Sequence, residues 1–116
     1  MIQGQVLRMH NPKNNTEWIV KSGWESEDID YTDLPKKWHG AMKRYMDNGI
    51  SGGGFLDSLL SDLYYEATNI ADPENRELMH DIYSWAYHNA PPDSFGSREL
   101  VKEWKRQGGL NGHKEL

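Results

Sequence analysis

The run Leu56-Asp57-Ser58-Leu59-Leu60-Ser61-Asp62-Leu63-Tyr64-Tyr65-Glu66-Ala67-Thr68-Asn69-Ile70 carries apolar side chains at 56, 59, 60, 63, 67 and 70. Steps of three and four residues place them along one face of a helix. The pattern predicts one long amphipathic helix, with Ser51 as its cap. The segments on either side follow the same rule. Asp72-Pro73 supplies a cap and a first-turn proline for a helix bearing Leu78, Met79, Ile82, Tyr83, Trp85 and Ala86, which Pro91-Pro92 ends. Ser97 caps a shorter one with Leu100, Val101 and Trp104, closed by Gly108-Gly109. Upstream, Pro35 starts a helix with Leu34, Trp38, Ala41, Met42 and Tyr45 on its stripe and Asn48-Gly49 as its stop. Four stripes need a common core, so the fold class is mainly α: a small four-helix bundle over residues 34–108.

The remaining chain lacks that period. Ile2 to His10 and Thr16 to Ser22 flank the turn formers Asn11-Pro12-Lys13-Asn14-Asn15, which predicts a β-hairpin or extended arm. Trp24-Glu25-Ser26-Glu27-Asp28-Ile29-Asp30 is an acidic linker packed through Trp24 and Ile29. Residues 109–116 read as a flexible tail. A chain of 116 residues fits a single domain over 1–116, divided into the front segment 1–33, the helical unit 34–108 and that tail.

Composition narrows the function classes. With no cysteine, disulfide frameworks and thiolate metal sites are excluded. No apolar run approaches the ~18 residues of a membrane span, and the start MIQGQVLRMH has no signal-peptide pattern, so a cytoplasmic protein without membrane contact is expected. The net charge of −5 argues against nucleic acid as a partner. It conceals a segregation. Residues 35–50 hold four basic and one acidic side chain, whereas 51–90 hold Arg76 alone against seven acids. Such a division either pairs neighbouring helices or steers a partner.

Thirteen residues are aromatic, five of them Trp. Rings supply core area that the modest aliphatic content does not; those left over would face a partner. Tyr64 and Tyr65 are adjacent and cannot both face inward on a helix, which makes Tyr65 a contact for a partner or a second copy. Trp18 and Trp24 are the other partner-binding candidates.

One segment suggests a ligand. In Gly49-Ile50-Ser51-Gly52-Gly53-Gly54-Phe55, bare glycine N–H groups before a helix favour a phosphate or carboxylate. Ser51, Gly52, Gly53 and Gly54, aided by Lys36, Lys43 and Arg44 of the cationic first helix, would form that site. Equally, the glycines would serve a tight turn with positive φ. There is no Gly-Lys-Ser/Thr ending of a nucleotide-triphosphate loop and no Gly-x-Ser-x-Gly elbow. Glu77, His80, Asp81, Ser84 and His88 share a helix face at metal-ligand spacing, but a second such helix is missing. No catalytic residue, metal ligand or cofactor is assigned.

Several spaced motifs stand in one order: Leu34-Pro35; Tyr45-Met46-Asp47-Asn48-Gly49; Gly52-Gly53-Gly54-Phe55-Leu56; Leu60-Ser61-Asp62-Leu63; Ala71-Asp72-Pro73-Glu74-Asn75; Ile82-Tyr83; Ala90-Pro91; and Gly96-Ser97 with Val101 and Trp104. Over residues 34–108 the chain resembles a family of short phage and prophage proteins with a Tyr-x-x-x-Gly step, a Pro-Gly-Gly-Phe-Leu turn and an Asn-Asp-Leu helix. It departs from them at Ser51-Gly52, where they have prolines, at Ser61, where they have Asn, and in its added residues 1–33. The resemblance implies a phage-type accessory protein in the host cytoplasm. Such a protein would antagonise a host defence system or host factor by non-catalytic binding to a host protein. The alternatives are a sponge for a small anionic nucleotide signal, and a small metal-dependent enzyme.

Overall fold

The computed structural model describes residues 8–11, 16–19 and 24–114. The chain is mainly helical, with six α-helices among the described residues: α1 His39–Asn48, α2 Gly54–Leu60, α3 Tyr64–Ile70, α4 Pro73–Asn89, α5 Arg98–Gln107 and α6 Gly109–Lys114. Ahead of them, β1 Arg8–Asn11 pairs antiparallel with β2 Thr16–Ile19, Met9 opposite Trp18. The turn proposed at 12–15 lies outside the described residues, as does the side chain of Trp18.

Local chemistry sets most boundaries. Asp72 accepts a hydrogen bond from the Asn75 N–H at 2.8 Å and Pro73 follows in the first turn of α4. Ser97 accepts one from the Leu100 N–H at 3.1 Å to start α5. Gly49, at φ 71, ends α1 in the left-handed region, where glycine pays no Cβ penalty.

Two expectations need correction. The long second helix is broken into α2 and α3. Asp62 takes φ 65, the Asp62 N–H donates to the Leu59 carbonyl and the Leu63 N–H to the Ser58 carbonyl, the paired bonds of a Schellman ending with aspartate in the usual glycine place. Periodicity misses this break because Leu59 and Leu60 before it and Ala67 after it all reach the core. Nor does Ser51 cap α2; Gly53, at φ 103, stands there. The second correction concerns the tail. Gly108 and Gly109, both at positive φ, turn the chain back so that α6 packs on α1 and buries Leu110. Glu115 and Leu116 lie outside the described residues.

The core joins every helix from α1 to α5 with Leu110, and is built on rings and sulfur as much as on leucine: Tyr45, Met42, Met46, Met79, Trp85 and Trp104 are buried in it. Three of the buried ring polar groups bond to backbone carbonyls, as burial favours. The Tyr45 hydroxyl donates to the Ser94 carbonyl at 2.7 Å, Trp104 Nε1 to the Tyr45 carbonyl at 2.9 Å and Trp85 Nε1 to the Asp30 carbonyl at 2.8 Å. That last bond ties the acidic linker to α4, where Tyr31 stacks on Trp85 at 5.3 Å.

Candidate functional site

The glycine-rich turn is held by its own neighbours. Ser51 Oγ accepts from the Gly53 N–H at 3.0 Å and donates to Asp57 Oδ2 at 2.8 Å. The same carboxylate oxygen receives Lys105 Nζ at 2.8 Å. One N–H of the turn is therefore already taken by a hydroxyl, and a carboxylate sits where an anion was expected. With only seven residues in α2, its dipole adds little. The positive φ of Gly53 fits the tight-turn reading of the glycines, and Gly49 adds a close approach: a Cβ there would lie 2.9 Å from the Trp104 carbonyl oxygen.

The cation at the turn comes from α5, and the first helix supplies none to it. Lys43 is engaged elsewhere, 3.1 Å from Asp47 and 3.4 Å from Ser26 Oγ. Lys36 and Arg44 are exposed. None of the three lines the groove that opens beside Asp57. That groove, about 460 Å³, lies between α2 and α5. Its walls are Asp57, Ser58 and Ser61 on one side and Arg98, Lys102 and Lys105 on the other, with Leu63 and Val101 at the floor. Ion pairing leaves the cations unequally free. Lys105 is spent on Asp57, Arg98 reaches Glu66 at only 3.8 Å, and Lys102 has no ion-pair partner among the described residues. Ser61 is one of two buried polar residues in the described chain. Sequence reasoning missed this site because α2 and α5 are some 40 residues apart; the available signal was Arg98, Lys102 and Lys105, which a step of four and a step of three put on one helix face.

The partner-binding candidates separate. Tyr65 is 77% exposed, as an outward contact requires, and Tyr64 is exposed beside it. Trp24 is 8% exposed and belongs to the core, which overturns its assignment to a partner: the acidic linker folds back on α4 and carries the ring inward with it. The polar face of α4 is solvated at Glu77, His80 and Asp81, and His88 Nδ1 lies 2.8 Å from the Ser84 carbonyl. No group of three metal-ligating side chains occurs among the described residues, and none of their helices is long and apolar enough to cross a membrane. Compared with protein-family models, curated proteins and solved structures, the chain matches none.

Proposed function

We propose that this chain is a phage-type accessory protein that blunts a host defence by sequestering a small anionic ligand of nucleotide type, without turning it over. The observation that carries this reading is the convergence of Arg98, Lys102 and Lys105 with the hydroxyl-bearing Ser58 and Ser61 on one groove of about 460 Å³. Guanidinium and ammonium groups on a single wall suit phosphate oxygens. The seryl hydroxyls opposite would bond to sugar or base edges. The volume falls within the ~300–1,000 Å³ usual for small-ligand sites. The glycine turn acts in support, by fixing Asp57 and through it Lys105.

Titrating a panel of mono- and dinucleotides against the purified chain should raise its melting temperature; a ligand at one hundred times its dissociation constant contributes about 2.7 kcal/mol. The ligand should be recovered intact, and the double variant Arg98→Glu/Lys102→Glu, which alters exposed side chains, should lose the shift while keeping the fold. A flat response across the panel, or conversion of the ligand, rejects the reading. A second reading, occupation of a host protein, is favoured by the exposure of Tyr65 and Ile70 on α3; recovery of a stoichiometric partner from host lysate that Tyr65→Ala abolishes would replace the first.

A further inference from the structure

On the side of the molecule formed by α3 and α4 lies a second groove, of about 260 Å³, whose chemistry is opposite to that of the first. It is lined by Tyr64, Tyr83 and Tyr87, by Asp62, and by His80 and His88. Three phenol rings, one carboxylate and two imidazoles surround a space that no lysine or arginine of the chain lines. Tyr87 and Tyr64 are 68% and 54% exposed, a large area of aromatic surface to leave in water. Tyr83 is held from below by Phe95, edge to face at 5.7 Å, so its ring is fixed.

The rings, the carboxylate and a neutral imidazole nitrogen attract positive charge. Ring faces are negative. The Asp62 carboxylate lies close enough to Tyr83 to add to the effect of burial in holding its hydroxyl above its ordinary value. In a neutral His88, the Nδ1 that faces the Ser84 carbonyl donates to it, which leaves Nε2 as an acceptor. Beside the groove α4 exposes Glu77 and Asp81, while Glu66 and Glu74 are turned to cations of other elements, Arg98 at 3.8 Å and Lys37 at 3.2 Å. The only lysine or arginine between residues 51 and 90, Arg76, donates to the Thr68 and Ala71 carbonyls and closes the α3–α4 connection. The charges of Asp62, Glu77 and Asp81 therefore meet no ion-pair partner among the described residues.

We propose that the α3–α4 groove receives an arginine side chain from a basic segment of a protein partner. Arginine suits it better than lysine. A guanidinium stacks flat on a tyrosine ring and spreads five donors over separated acceptors, here a carboxylate, phenol oxygens and an imidazole nitrogen. The occupant is a partner's side chain and not a free small cation, because the acidic face continues beyond the cavity along α4 through Glu77 and Asp81 and complements a basic stretch of chain.

The test uses capped Gly-Arg-Gly, Gly-Lys-Gly and Gly-citrulline-Gly peptides, titrated into the intact chain and followed through the ring resonances of Tyr64, Tyr87, His80 and His88. Citrulline keeps the shape and removes the charge. Arginine should shift these resonances most, lysine less and citrulline not at all. Tyr87→Leu should weaken the arginine peptide by about two- to fivefold, the range of one exposed cation–ring contact. Asp62→Asn should weaken it at least as much, and asparagine tolerates the left-handed backbone at that position. Equal responses to arginine and citrulline, or affinities unchanged in both variants, overturn the proposal. So does a concentration-dependent dimer that Tyr87→Leu dissolves, since the groove would then be filled by a second copy.

Discussion

Tyr45 shows how much of this fold passes through single side chains. Its hydroxyl holds the Ser94 carbonyl, its own carbonyl receives the Trp104 indole N–H, and its ring lies against that indole at 6.5 Å. Burial, and secondarily the charge of Asp57, raise its hydroxyl well above the ordinary value of 10.0; burial and Asp47 do the same to Tyr31. In the unfolded chain both phenols ionise near that ordinary value, while the folded chain keeps their protons. Their contribution to stability is thus intact below pH 10 and is lost as pH climbs above it. Tyr45→Phe leaves a buried carbonyl without its donor and should cost about 1–2 kcal/mol at neutral pH. Its loss of stability above pH 10 should be shallower than that of the parent chain, because one of the tyrosines with a raised hydroxyl is gone. Urea unfolding on both sides of that pH measures the two effects; parallel pH profiles for parent and variant would refute the assignment. The sequence placed Tyr45 on an apolar stripe and so in the core. It held no sign of Ser94 as its partner, because the two stand 49 residues apart.

At the scale of elements, the double glycine after α5 is the instructive case. A glycine pair after an apolar stripe reads as a stop, and the residues beyond carry too few apolar side chains to show a period. In the fold the pair is a reversal. Gly109 comes so close to α1 that a Cβ would stand 2.7 Å from both the Gly49 nitrogen and the Met46 carbonyl oxygen. Gly109→Ala combines that clash with a positive φ and should cost more than about 2 kcal/mol. Gly53→Ala also meets a positive φ but has nothing within 4 Å of the new methyl, and should cost less. Denaturant midpoints of the two variants give the comparison; equal losses would mean that α6 does not seat on α1. The break between α2 and α3 belongs to the same scale. By ending α2 at Ser61 it lets Asp62 reach the α3–α4 groove while Asp57 and Ser58 stay on the α2–α5 groove.

Across the whole molecule, charge and rings have separate places. The α2–α5 groove gathers cations, and the α3–α4 groove gathers tyrosines beneath an acidic rim. A single core connects them: Trp24, Trp85 and Trp104 all lie in one cluster. Unfolding should therefore be cooperative, with tryptophan emission and far-ultraviolet circular dichroism tracing the same denaturation curve; an earlier loss of helix at unchanged emission would show that part of the bundle is independent. The sequence by itself determined the helical class, the starts at Asp72 and Ser97 and the stop at Gly49. The physical reason is range: a cap bonds an N–H three residues on, a glycine stop turns on its own φ, and an apolar stripe repeats every three or four residues, so all are written within one turn of chain. Only the tertiary structure decided that Trp24 is core, that Lys105 and not the first helix meets the glycine turn, and which side chains share each groove. Those outcomes depend on packing between segments that are far apart in the chain, where the favourable contact is chosen by the shape and charge of the whole assembly and leaves no period in the sequence.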